Sequence, residues 1–300
     1  MNAQQTSRRI GADAVAEKGW LKSHQWLLLR RLSQFGILAL FLLGPLAGLW
    51  IVKGNLSYSL TLGVLPLTDP FVALQSLVTG HVPEKMGWLG LALVCAFYLL
   101  FGGRLFCSWV CPVNLVTDAA GWLRDRLGLK GGAHVSRSLR YWVLAMSLVV
   151  SALTGVVAWE LVNPVSMLHR GLFFGIGAAW MIILIVFLFD LFVMPRGWCG
   201  HICPVGAFYS LLGRVSPLRV SADKRGACND CMDCFEVCPE PQVIRPALKG
   251  EGKGVGPVIL AANCTNCGRC IDVCAKDVFR FASRFNNPVS DKPVGAGETK

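Results

Sequence analysis

The sequence predicts an α-helical membrane protein with four transmembrane helices, built as a two-fold internal repeat, followed by a small cysteine-rich α+β domain. Three observations carry this. Hydrophobic residues make up 54% of the 300 residues and charged residues 16%, with a mean hydropathy of +0.52. Soluble domains carry about 25% charged residues. Four apolar segments are long enough to span a bilayer, and most of the 13 cysteines fall in two evenly spaced runs near the C-terminus. This composition excludes disorder for most of the chain. The net charge of +11 could indicate nucleic-acid binding, but on a chain this apolar it indicates basic cytoplasmic loops facing the inner leaflet.

Residues 1–31 read as a cytoplasmic N-terminal arm. Arg8-Arg9 is followed by polar and small residues, which fits neither a secretory nor a twin-arginine signal. Residues 32–215 form the membrane domain. Its predicted spans are 32–52, 87–106, 141–162 and 172–194, each about 20 residues and so about 30 Å as a helix, the hydrocarbon thickness. Glu160 and Asp190 lie near span ends, within reach of water. Of the 29 Lys and Arg, only Lys53, Lys85 and Arg170 fall in the two segments that follow spans one and three. The positive-inside rule therefore makes both termini cytoplasmic. The expected location is the bacterial inner membrane, with several passes.

The repeat is written in cysteines. Arg104-x2-Cys107-x3-Cys111-Pro112-Val113 closes the second span, and Arg196-x2-Cys199-x3-Cys203-Pro204-Val205 closes the fourth. Asp69-Pro70 and Asn163-Pro164 precede those spans at matching places. Cys107, Cys111, Cys199 and Cys203 should therefore occupy equivalent positions at the cytoplasmic surface. Arg104 and Arg196 would favour their thiolates. Four thiolates could hold a third cluster or another metal, cycle between dithiol and disulfide, or simply be buried thiols. Cys95, without a partner motif, reads as a core thiol. His81 and His169 lie in outward loops and could take a proton near neutral pH, though a solvated interfacial role suits them better. Trp50, Trp88, Trp109, Trp142, Trp159 and Trp198 read as an aromatic belt.

The C-terminal runs are Cys228-x2-Cys231-x2-Cys234-x3-Cys238-Pro239 and Cys264-x2-Cys267-x2-Cys270-x3-Cys274. This is the spacing of bacterial two-cluster ferredoxins, in which three thiolates on one tight turn hold a cube and the fourth cysteine reaches the other cube. Cys228, Cys231, Cys234 and Cys274 should hold one [4Fe-4S] cluster, and Cys264, Cys267, Cys270 and Cys238 the second. Disulfides do not suit a cytoplasmic site, and zinc sites commonly use two C-x2-C pairs. Ala275 stands where a proline follows the last cysteine of the first run. The domain is expected over 216–285, with a mobile glycine-rich loop at 249–256 and a flexible tail at 286–300.

Taken together, the four spans, the paired R-x2-C-x3-C-P motifs and the two-cluster domain resemble the NapH family, the ferredoxin-type membrane subunits of periplasmic nitrate reductase systems. The resemblance covers 32–285. NosR, MauN and CcoG are relatives; a NosR-like flavin domain does not fit in 31 residues, nor a CcoG-like β-domain in the last 15. The resemblance implies two [4Fe-4S] clusters and a component of a quinol dehydrogenase that does not act as an independent enzyme. Such a subunit takes electrons from quinol and passes them, through a partner ferredoxin subunit and a membrane or periplasmic cytochrome, to a periplasmic reductase. The alternative is an accessory ferredoxin supplying electrons for maturation of a periplasmic metalloenzyme or quinoprotein. In both, cytoplasmic clusters must serve an acceptor beyond about 30 Å of membrane.

Overall fold

The computed structural model describes residues 9–129, 131–175 and 177–287. Gln25–Ala47 is the one helix among the described residues that is both long and apolar enough to cross a membrane by itself. Its 23 residues measure about 35 Å. It begins earlier than hydropathy suggests because its first amides have a partner: Asp272 accepts from the N–H groups of Trp26 (3.1 Å) and Leu27 (2.9 Å). It ends at Gly48, whose φ of 70° lies in the left-handed region that closes helices. The expected run to residue 52 is cut short there.

Three more apolar helices follow: Lys85–Phe101, Leu139–Thr154, and Gly177–Leu188, which runs on as a π turn over Phe189–Val193. The first two have 17 and 16 residues, about 25 Å each, so they are shorter than the expected spans. Trp142, Met146, Leu153, Leu184 and Ile185 are exposed apolar side chains on the last two.

The segments expected to be outward loops are folded as well. Val52–Gly54, Tyr58–Thr61 and Leu65–Thr68 form an antiparallel three-stranded sheet, with Val52 opposite Thr61 and Tyr58 opposite Thr68. Asp69 then caps the helix Pro70–Val78, and Asn163 caps Pro164–Phe174; each cap side chain accepts a main-chain N–H, and each helix opens on proline, the residue that loses nothing at that position. These caps sit deep in the molecule. The Tyr209 hydroxyl, beyond the last apolar helix, donates to Asp69 Oδ2 at 3.0 Å. Residues expected on opposite sides of the membrane thus touch, and both proline-led loops dip into the helical layer.

Pro204–Leu212 packs on Leu139–Thr154 and leads to the C-terminal domain. There Leu218–Ser221 pairs antiparallel with Arg280–Ser283 around a core of Val220, Ile244, Ile259 and Phe279. The N-terminal arm is not a loose extension. Ala12–Lys18 and Trp20–Ser23 are helical; the Gly11 N–H donates to Asp233 Oδ2 (2.9 Å), and Lys18 pairs with Asp277 (2.7 Å). The 249–256 segment is also ordered, by a turn over Glu251–Lys253 that Arg225 holds through Glu251 (3.3 Å) and the Val255 carbonyl (2.7 Å). Of the expected tail at 286–300, only 286–287 lie among the described residues.

Candidate functional site

The two C-terminal runs fold alike. Asp230 and Asn266 take φ of 57° and 47°, and Met232 and Gly268 take 67° and 72°, so each run turns sharply enough to aim three thiols at one point. A cavity of about 20 Å³ is lined by Cys228, Cys231, Cys234 and Cys274, the last contributed by the other run. Cys238 and Cys270 lie close to Cys264 and Cys267; burial, then the charge of these neighbours, pushes both thiols up. Cys267 is the exception. Burial would raise it, but the guanidinium groups of Arg269 and Arg30 outweigh that and hold it below the ordinary thiol range.

The membrane-domain cysteines also converge. Each C-x3-C motif forms a π turn, over Phe106–Val110 and Trp198–Ile202. Each turn closes with the same bond at the same length, Cys111 N–H to the Phe106 carbonyl and Cys203 N–H to the Trp198 carbonyl, both 2.9 Å. Such turns are rare and concentrate at functional sites. Cys107, Cys111, Cys199 and Cys203 line one small chamber. Trp159, Asn163 and Val165 also line it, and the four cysteines are partly buried.

The chamber abuts the second cysteine run. The Ser108 hydroxyl donates to the Thr265 carbonyl (2.8 Å) and Trp109 Nε1 to the Asn266 carbonyl (3.1 Å). Two residues between Cys107 and Cys111 thus bond two residues between Cys264 and Cys267. Trp26 packs on Gly268 so closely that a Cβ there would collide with its ring; Met232, the equivalent residue of the first run, is exposed. The cysteines around Cys267 therefore face the membrane domain, and those around Cys228 face away.

Ion pairs secure this junction. Glu240 Oε1 receives Arg104 (2.6 Å) and Arg140 (2.7 Å), and Oε2 receives Arg137 (3.2 Å). Arg104 also donates to the carbonyls of Asn263 (3.0 Å) and Cys199 (3.2 Å). Asp118 joins Arg31 (2.5 Å) and Arg269 (2.7 Å). Burial would raise Asp118, but Arg269 and Arg31 bring it down to about 2. The two motif arginines, matched in sequence, part company here. Arg104 is clamped on Glu240, whereas Arg196, at φ 53°, reaches only the Glu236 carbonyl at 3.5 Å.

The model of a 4Fe-4S binding domain matches residues 85–130 and again 176–223, one C-x3-C-P motif in each, and that of a 4Fe-4S dicluster domain matches 227–278. MauN, the methylamine utilization ferredoxin-type protein of Methylorubrum extorquens, is 54% identical over 91% of this chain and 94% of its own. The MauN of Paracoccus denitrificans is 55% identical over 91% and 95%. The ferredoxin-type protein NapH of Escherichia coli is 49% identical over 93% and 97%. The chain belongs to the NapH/MauN family of ferredoxin-type proteins. It carries two [4Fe-4S] clusters and works in electron transfer. No solved structure matches it.

Several residues that build this NapH/MauN site had no sequence signal. Glu240, Asp118 and Asp272 act through partners more than a hundred residues away or across the domain junction. Glu240, directly after Cys238-Pro239, and Asp272, between Cys270 and Cys274, were within reach of a motif. His169 is buried against Phe41 and Phe173, unlike the solvated residue expected, whereas His81 sits in an exposed turn with Thr79. Trp50, Trp88 and Trp142 are exposed as a belt requires, but Trp159 stacks on Trp198 at the chamber and Trp109 docks the C-terminal domain. Cys95 lies outside the chamber.

Proposed function

We propose that this chain is a multi-pass inner-membrane subunit that takes electrons from quinol and delivers them towards a periplasmic acceptor. Its four apolar helices cross the membrane and both termini lie in the cytoplasm. The observation that carries the reading is the Ser108–Thr265 and Trp109–Asn266 contact, which joins the four-thiol chamber to the cysteine turn around Cys267. Cys264, Cys267, Cys270 and Cys238 hold the cluster nearer the membrane, and Cys228, Cys231, Cys234 and Cys274 the outer one. Quinol oxidation releases two electrons, and two one-electron clusters suit that step. Cys107, Cys111, Cys199 and Cys203 supply a further redox site, a third cluster or a redox dithiol pair. The dipping loops help with the crossing, since Asn163 and Val165 bring an outward segment to the chamber wall. The chain's own residues fix the clusters, exclude water from the chamber and hold it against the C-terminal domain. The partners are a second ferredoxin subunit and a cytochrome of the same respiratory system.

The acceptor has two readings. NapH points to nitrate reduction. The higher identity to MauN, 54% and 55% against 49%, favours methylamine utilization, where electrons would support maturation of a quinoprotein. Complementation of strains lacking each relative separates them. The core reading is tested by adding quinol to anaerobic membranes that contain the partner proteins and recording cluster EPR. Reduction of both clusters is expected; clusters reducible by dithionite but not by quinol would overturn it.

A further inference from the structure

A cavity of about 480 Å³ lies beside the cysteine chamber, within the roughly 300–1,000 Å³ range of small-molecule sites. The Gln25–Ala47 helix, the β-sheet and the Lys85–Phe101 helix enclose it. Leu40, Leu65, Leu93 and Phe97 line it and are also exposed on the outer apolar surface. Its mouth therefore opens sideways, where lipid would be, and admits an apolar molecule from the bilayer.

The inner end is polar. Asp69 and Tyr209 line it, with the phenol donating to Oδ2 at 3.0 Å. Thr68 also lines it. Phe106 forms part of the wall, stacks on Tyr209 (5.0 Å), and also lines the thiol chamber next to Cys107. An acyl chain would leave Asp69 unused. A flat ring with a hydroxyl at its edge would use it and come to rest one side chain from the thiols.

The repeat supplies an internal control. Asn163 occupies the place of Asp69 and caps its helix as an amide, accepting from Val165 N–H at 3.1 Å. Capping therefore does not require a carboxylate at position 69. The charge there is surplus to capping.

We propose that this cavity is the quinol site and that Asp69 is the base that takes the quinol protons. The assignment rests on the quinol reading above. Oxidation to quinone breaks both O–H bonds and releases two electrons and two protons. The electrons would leave one at a time for the two four-iron clusters that the C-terminal cysteines would hold. Asp69 accepts the protons in turn and passes them to water beyond Ser57 and Glu160. Ser57 bonds Glu160 (3.4 Å) and shares a second small cavity with Asp69. Tyr98, Tyr209, Cys95 and Glu160 are the titratable groups nearest Asp69.

The test uses the full-length protein in membranes with its partners. A short-chain azidoquinone should label residues of this cavity, and excess quinone should protect them. Leu93→Trp, at the mouth, should abolish labelling. Asp69→Asn keeps the cap, so dithionite reduction of the clusters should stay normal while quinol-driven reduction slows about 100-fold, the scale of a lost general base. Labelling elsewhere, or wild-type quinol reduction in both variants, overturns the assignment and leaves the quinol reading standing. A wild-type protein that quinol cannot reduce removes the quinol reading, and the assignment with it.

Discussion

Glu240 has almost no contact with water, and neither do two of its three arginines. Removing its charge strands Arg104 and Arg140 in a dry setting. Breaking one side of a buried pair costs about 3–5 kcal/mol. Glu240→Gln should therefore lower the thermal midpoint of the detergent-solubilised protein, followed through the visible absorbance of the clusters. Arg137→Ala should cost less than about 1 kcal/mol, because that side chain remains 40% exposed. Acid should act on the same junction. Burial opposes the ionised forms of Glu240 and Asp118, but their arginines outweigh it and hold both below the ordinary carboxylate range, Asp118 at about 2. Depressed values mean that the stabilisation is complete above about pH 4 and drains away as the pH falls towards 2. The midpoint should hold at about pH 5 and drop below about pH 4. Asp118→Asn should remove part of that acid-side loss.

Among the elements, the cysteine turns were the most legible in sequence and the dipping loops the least. A fixed ligand spacing leaves a periodic trace, and a repeated motif leaves two. The sheet over residues 52–68 and the depth of Asp69 left none, because their positions depend on Tyr209 and Phe106, which meet them only after folding. The apolar segments were visible, but their ends were not: Gly48 and Asp272 set the ends of the first helix, and neither is apolar. Two predictions belong here. Cys274→Ser should lower the iron content from about eight atoms towards four, with loss of the cluster on Cys228, Cys231 and Cys234 and retention of the one on Cys264, Cys267 and Cys270. Cys107→Ser and Cys203→Ser should keep both clusters but stop their reduction by quinol, as EPR of membranes would record. Normal quinol reduction in both would reduce the chamber to packing.

For the whole molecule, the charge pattern predicts that reporter fusions at Lys300 and near Gly132 read as cytoplasmic, and those near Gly80 and Arg170 as periplasmic. An active periplasmic reporter at Lys300 would invert the protein and move its clusters outside. The cap on the first helix has a consequence in time. Trp26 and Leu27 leave the ribosome early, whereas Asp272, their partner, lies 246 and 245 residues further on. Until it arrives, the helix start has only water or lipid headgroups to satisfy it. Asp272 lies two residues after Cys270, between Cys270 and Cys274, and ends a short helix of four residues, Arg269–Asp272, whose position depends on the cysteine turn around it. The start of the first helix is thus capped only once the last-made domain has folded. A chain starved of iron should carry a frayed first helix, one a membrane protease can find.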